Sequence, residues 1–234
     1  MLKAMSKVIV LDAGHGGTDP GATSGSRYES NDTLMLAQAA RKLLIAQGLT
    51  VIMTRTSDTY VSLASRTSMA NKAGADLFVS LHRNSYSNTT ANGTEIWVYT
   101  TAGALDEAAA GVVLEQLAAV GIQSNRGIKK GNYHVLRESN MTSMLVELGF
   151  ISNTADNQLF DRNFDAYAQA IAKGICNALG IAYQTGGATT QSDVLYRVQV
   201  GAFTVKSNAD AFLKTVKQMG LEAFLVQVET AKPE

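Results

Sequence analysis

Short apolar runs recur along the first part of the chain, at residues 8–11, 51–53, 77–81, 96–99 and 144–148. They scarcely alternate with polar residues, a pattern that suits strands buried on both faces. The stretches between them carry helical periodicity. Leu36, Ala40, Leu43 and Leu44 recur at helical spacing, with Ser30 or Asn31 as the expected cap and Gly48 as the stop. A second helix is expected over about 62–73, ending at Gly74, and a third over about 105–119, ending before Gly121. A fourth places Phe164, Ala168, Ile171, Ile175 and Leu179 on one face and ends at Gly180. Capping residues before, and glycines after, the periodic segments mark helix ends. Strands alternating with helices predict an α/β sheet with helices on both faces, in a unit that ends near Ala182.

The next stretch, YQTGGATTQSDV, is poor in apolar residues and reads as a linker over 183–193. Beyond it the pattern is strand (195–200), helix (about 208–219), strand (223–228), which makes 194–234 a small βαβ half-domain. A piece of roughly 40 residues buries too little apolar surface to stand alone, so a partner surface is expected for it.

Composition narrows the chemistry. Of 234 residues, 46% are apolar and 17% charged, and Lys plus Arg equals Asp plus Glu, so the formal net charge is zero. Nothing here draws the chain toward nucleic acid or an anionic membrane. The single cysteine, Cys176, lies in a helical pattern as a small core residue, which excludes an intrachain disulfide and cysteine-rich zinc sites. No apolar stretch approaches the roughly 20 residues of a membrane span. The start, MLKAMSKVIVLDAGHGG, runs directly into a core strand with no signal-peptide core, so synthesis in the cytoplasm without a signal peptide is expected.

With only three histidines in the chain, their positions matter. His15 follows VIVLDAG, His82 follows LFVSL, and Glu147 follows MLV. Ends of neighbouring strands converge on one sheet edge, where open α/β sheets bind ligands. Glu29 stands just before the first helix, and the glycine-rich turn between Gly14 and Gly25 can fold it back toward that edge. Two imidazoles and one carboxylate suit a catalytic zinc, which keeps three protein ligands and one open position. Glu147 is then the candidate general base. Gly14, Gly16 and Gly17 leave room for a sharp turn beside the metal. Each residue also has a plain structural alternative. His15 can be a hydrogen-bonded turn residue, and Glu29 a surface charge that complements a helix dipole. The glycines alone can make an anion nest, although the Lys-Ser/Thr of a phosphate loop is missing. His134, in NYHVLRE, leaves a three-histidine site open, with a strand or rim role favoured.

The ordered blocks LDAGHGGTDPGA, YESNDTLMLA, TRTSDTYVSLASRTSMAN, GADLFVSLHRNS, GTEIWVY and MLVELGFISN resemble the zinc-dependent N-acetylmuramoyl-L-alanine amidases, especially the sporulation and phage-type cell-wall enzymes. The likeness covers about 8–179. It implies a twisted six-stranded, mixed but mostly parallel sheet flanked by helices. It implies one Zn2+ held by His15, Glu29 and His82, with Glu147 catalytic. The implied reaction is hydrolysis of the amide between the lactyl group of N-acetylmuramic acid and L-alanine of the peptidoglycan stem. The rival expectations are another wall zinc hydrolase, a peptidase or deacetylase, or a non-catalytic wall-binding protein with structural zinc. Release by lysis would bring such a chain to the wall.

Two departures stand out. Arg83 occupies a position that is commonly small or apolar in the family, and no proline precedes the catalytic glutamate. Arg83 is expected either at the rim, binding a peptide carboxylate, or as a structurally paired arginine. Arg55, Arg66 and Asn71 match family blocks and are expected in scaffold hydrogen bonds. The tail, YRVQVGAFTVKSNADAFLKTVKQMGLEAFLV, resembles one repeat of the sporulation-related (SPOR) domain, whose two repeats together bind denuded glycan. A single repeat implies either glycan binding or a homodimer in which two chains each supply a half.

Overall fold

The structure, a computed structural model, describes residues 6–184, 201–218 and 225. The chain divides into two compact units, Met1–Gly187 and Ala188–Glu234. In chain order the first unit holds β1 (Val8–Ala13), β2 (Thr23–Ser24), β3 (Arg27–Tyr28), α1 (Glu29–Ala46) and β4 (Thr50–Met53). These are followed by α2 (Leu63–Lys72), β5 (Leu77–Asn84), β6 (Thr94–Tyr99), α3 (Ala104–Val120) and β7 (Asn125–Gly131). Then come α4 (His134–Arg137), β8 (Thr142–Phe150), α5 (Thr154–Arg162) and α6 (Phe164–Ala178).

Six of these strands form one sheet in the order β4-β1-β5-β8-β6-β7. Strands β4, β1, β5 and β8 run parallel. β6 runs antiparallel to β8, and β7 parallel to β6. This is the α/β sheet that the residue pattern implied, in the mixed, mostly parallel form that the family resemblance implied.

Because alternate residues of a strand face opposite sides, the sheet feeds two cores. Ile9, Leu11 and Val79 join Leu36, Ala40, Val113 and Ile171 in a large cluster under α1, α3 and α6. Val10, Phe78 and Leu145 join Ala70, Val135 and Leu136 in a much smaller one under α2 and α4. Cys176 is fully buried in the large cluster, as expected of a small core residue.

Helix α2 begins close to the expected position, after an N-cap at Ser62 whose hydroxyl accepts from the Ser65 N–H at 3.2 Å. Helix α1 lacks its expected cap. Its N-cap is Tyr28, without a side-chain cap, and Ser30 and Asn31 lie inside the helix. The reason is tertiary. The Glu29 and Ser30 amides donate to the carbonyls of Ala22 and Pro20, so the glycine-rich loop satisfies donors that a cap would otherwise serve. Sequence periodicity also missed β7, the β2–β3 hairpin, α4 and α5. The segment NRGIKKG is polar, and β7 forms an edge of the sheet, where one flank needs no apolar cover.

In the second unit α7 (Lys206–Gln218) matches the expected helix, and Phe203 packs on Phe212 with ring centroids 5.4 Å apart. The strand expected over 195–200 lies outside the described residues. So does the one over 223–228, apart from Leu225, and most of the linker.

Candidate metal centre and active site

The parallel strands β1, β5 and β8 deliver their carboxyl ends to one edge of the sheet, and the sequence-predicted residues gather there. His15 lies just past β1, Glu29 opens α1, and His82 and Glu147 sit within β5 and β8 as direct register partners. The last two therefore lie inside strands rather than after them.

Ligand atoms of His15, Glu29 and His82 all lie within 4.8 Å of one another. Glu29 Oε1 is 2.8 Å from His82 Nδ1 and 3.2 Å from His15 Nε2. The two imidazole rings meet edge to face, with centroids 4.9 Å apart. Backbone amides hold the carboxylate in place: Arg83 N–H donates to Oε1 at 3.0 Å and Ala22 N–H to Oε2 at 2.9 Å. Asp19 accepts from His15 Nδ1 at 2.8 Å, which leaves Nε2 turned to the cluster. An outer carboxylate on a ligating histidine fixes its tautomer and orientation in this way.

His15 has φ +61°, the one non-glycine residue with positive φ among those described. Such strain persists where the surroundings over-determine the backbone. Here two arginines do so. Arg55 donates to the carbonyls of Ala13, Gly14 and Ser30 at 2.9, 2.9 and 2.7 Å. Arg66 donates to Asp12 Oδ1 at 2.6 Å and to the carbonyls of Ala13 and His15 at 2.7 and 2.8 Å. Glycines supply the space. A Cβ on Gly14 would stand 2.6 Å from His82 Nε2, and one on Gly21 would stand 2.7 Å from Glu29 Oε2. The donor set and a cradle that any side chain would fill both fit a divalent ion with nitrogen and oxygen ligands.

The electrostatics divide the two glutamates. Burial pushes the Glu29 carboxyl up, but hydrogen bonds and charge from His15 and His82 outweigh it and hold it well below the usual range. Burial alone would lower His15, yet Glu29 and Asp19 raise it to about 9. Glu147 is different: burial dominates, Glu29 and Glu95 add to it against His82, and the carboxyl is pushed up to about 7. Its Oε2 is buried without a hydrogen-bond partner among the described residues. A carboxylate oxygen left open beside such a cluster of donors has acceptor capacity free for a reacting proton.

A cleft of about 550 Å³ opens over the cluster, lined by His15, Glu29, His82 and Glu147, with Tyr60 and His134 at its walls. His134 thus takes the rim role and is not one of the three clustered donor residues. Arg83 is a buried structural arginine, 2% exposed, and not a rim group. It pairs with Asp32 at 2.5 Å, donates to Asn157 at 2.7 Å, and lies 4.2 Å over the Phe160 ring. Asn71 bridges to the backbone of Glu138 and Asn140. Sequence reasoning had no signal for Asp19 or Glu95, since an exposed turn aspartate and a strand glutamate gain meaning only from what they touch.

Three nitrogen and oxygen donors around one point, on the open edge of an α/β sheet with a spare carboxylate alongside, are the equipment of the metal-dependent hydrolases as a class. The family follows from comparison. The N-acetylmuramoyl-L-alanine amidase family model matches residues 9–179, and the chain belongs to that family. The SPOR domain model matches residues 166–227, beginning within α6. The chain is 39% identical over 221 residues to the sporulation-specific N-acetylmuramoyl-L-alanine amidase of Bacillus subtilis (strain 168), covering 93% of this chain and 84% of that protein. It is 37% identical over 220 residues to the amidase CwlM of Bacillus licheniformis, with the same coverage. Among solved structures it resembles the catalytic domain of CwlV from Bacillus (Paenibacillus) polymyxa var. colistinus. The TM-score is 0.70 at 38% identity, over 75% of this chain and 99% of that one. An amidase from Clostridium difficile 630 gives a TM-score of 0.71 at 35% identity, over 75% and 97%. The chain is a peptidoglycan-hydrolysing N-acetylmuramoyl-L-alanine amidase. Among the described residues no helix is long and apolar enough to cross a membrane.

Proposed function

We propose that His15, Glu29 and His82 hold one zinc ion and that Glu147 is the general base and acid for cleavage of the lactyl–L-alanine amide. The observation that carries this reading is the triad of donors within 4.8 Å with the partnerless Glu147 oxygen beside it. A zinc ion there would supply Lewis acidity, bringing the pKa of water from about 15.7 toward about 7 and polarising the amide carbonyl.

The chain's own residues do the rest. Glu147 accepts a proton from the water that adds to the lactyl carbonyl carbon. It then delivers that proton to the alanine nitrogen as the C–N bond breaks, leaving a lactyl carboxylate and a free amine. A carboxyl held near neutrality serves both steps, because catalytic efficiency is greatest when the pKa lies near the working pH. Asp19 keeps the His15 ring oriented, and Arg55 and Arg66 hold the loop that carries it.

We assign the amidase unit to 1–182, the linker to 183–193 and the SPOR-like half-domain to 194–234. The half-domain binds glycan or pairs with a second chain, and the mass in solution by light scattering distinguishes the two. The experiment for the site is digestion of purified wall, with and without chelator, and mass analysis of the products. Chelator-sensitive release of peptides with a new alanine amino terminus is expected. Cleavage within the peptide, or binding without solubilisation, would overturn the reading.

A further inference from the structure

Arg83 stands one residue past His82, where the family commonly carries a small or apolar side chain. Here it is among the largest wholly buried side chains, and its Nε has no hydrogen-bond partner among the described residues. Burying a guanidinium forfeits its hydration, and well-packed apolar residues in place of a buried ion pair are often neutral or stabilising. Stability of the fold therefore does not account for an arginine at this position.

Its contacts converge on Glu29. The Arg83 backbone N–H donates to Glu29 Oε1 at 3.0 Å rather than to a neighbouring strand. The β5–β8 pairing shifts register between His82 and Asn84, so the regular ladder stops fixing β5 at this residue. The guanidinium takes over that task. Nη1 pairs with Asp32 at 2.5 Å, and Nη2 donates to Asn157 Oδ1 at 2.7 Å. Asp32 lies three residues after Glu29 in α1, a spacing that puts the two carboxylates on one helix face. Arg83 thus holds the first turn of α1 at two points, with its backbone on Glu29 and its side chain on Asp32.

Arg27 completes the arrangement from the other side of Glu29. Its Nε donates to the same Asp32 oxygen at 2.7 Å, and its terminal nitrogens fork onto Asp161 at 3.0 and 2.7 Å. Both guanidinium groups lie over the Phe160 ring, Arg83 at 4.2 Å and Arg27 at 5.1 Å from its centroid. Helix α1 has no side-chain N-cap. These links to β5 and α5 therefore join the loop carbonyls of Ala22 and Pro20 in fixing where the helix starts.

We propose that Arg83 is a positioning residue for the donor cluster: it sets Glu29 on α1 against His82 on β5, and so sets how tightly a divalent ion is held, while adding little to the stability of the fold. This inference rests on the zinc reading above and deepens it. A lysine could meet Asp32 as a point charge. It lacks the planar fork that reaches Asp32 and Asn157 together while lying on the Phe160 ring.

The test uses the full chain and zinc alone. Zinc affinity is read by competition with a chelator, and stability by denaturant unfolding of the metal-free chain. Arg83→Met keeps much of the side-chain volume and leaves Asp32 paired to Arg27, so no carboxylate is stranded. Expected is a denaturation midpoint equal to or above that of the wild type, with zinc affinity weakened by about tenfold, the lower end of the range for groups that orient metal ligands. Arg83→Lys should recover that affinity only in part. Asn157→Ala frees one arm of the guanidinium and touches no ion pair, and it should weaken affinity by about threefold, half of the tenfold effect on a free-energy scale. Affinity within about twofold of the wild type in both Arg83→Met and Asn157→Ala overturns the proposal. A midpoint that falls together with affinity, or an Arg83→Met chain that does not fold, assigns Arg83 to the scaffold and overturns it as well. Failure of the wild type to bind one zinc per chain would instead overturn the metal-site reading.

Discussion

The two faces of the sheet do different work. On one, α1, α3 and α6 cover a large apolar cluster in which Ile9, Leu11, Val113 and Ile171 are wholly buried. On the other, a small cluster under α2 and α4 gives way to polar groups buried without apolar cover. There Asp12 accepts from Thr54, Arg66 and Ser80, each at 2.6 Å, and Glu95 and Glu147 face each other across β6 and β8. The first face supplies stability through area removed from water. The second spends part of it on buried charge. The lesson is that the thick face allows the thin face to hold a strained histidine and a buried carboxylate oxygen left open.

That contrast can be broken most sharply at the ligands. His82→Ala should abolish both metal retention and amide hydrolysis, as measured by elemental analysis and product release, while the thick face keeps the chain folded. Glu147→Gln comes next. Metal content should be unchanged and kcat should fall by about 10²–10⁴, the usual contribution of a general acid–base group. Wild-type rates in that variant would remove Glu147 from the mechanism.

Asp19→Asn acts one step out. Metal affinity in a competing chelator should weaken by about 10–100-fold, the range for an outer-sphere partner. The smallest effect on the site should come from the other face. Ile171→Ala should cost about 2–5 kcal/mol of stability by leaving a cavity, read as a lower denaturation midpoint. In the folded fraction its metal affinity and turnover should stay within about twofold.

Protons sharpen the comparison further. In the metal-free chain His15 is raised to about 9, so an ion bound at the proposed site would have to displace a proton at neutral pH. Affinity should therefore rise with pH up to about 9, with proton release visible by calorimetry in buffers of different ionisation enthalpy. The raised His15 also contributes stability to the metal-free fold that is complete below about 6.5 and lost as pH rises through about 9. The raised Glu147 has the opposite relation to the proposed function: as the proposed base it would have to lose its proton. The acid limb of the rate profile should then lie above 4.5, the ordinary value for glutamate.

Much of the fold was legible in the residues. Buried parallel strands are apolar on both faces, so β1, β4, β5 and β8 announced themselves, and α6 declared its face through Ile171 and Ile175. β7 was hidden because a polar edge strand gives no periodic signal, α4 is too short to show one, and α5 (TADNQLFDR) carries too few apolar residues. Of the site, His15, His82 and Glu147 were visible because a polar group at the end of an apolar run is unusual. Arg83 was ambiguous until Asp32 and Phe160 were seen to enclose it, since a guanidinium at a strand end is equally at home in water.

The chain by itself determined the residue types, their order and the strand ends that carry them, because hydrophobic period and glycine placement are local properties. Only the tertiary structure decided that Glu29 folds back onto two histidines far apart in sequence. It alone brought Asp19 to the outer nitrogen of His15, and left one Glu147 oxygen open among the described residues while Glu95 beside it is satisfied. Those outcomes are distances between segments remote along the chain, and packing, not local pattern, sets such distances.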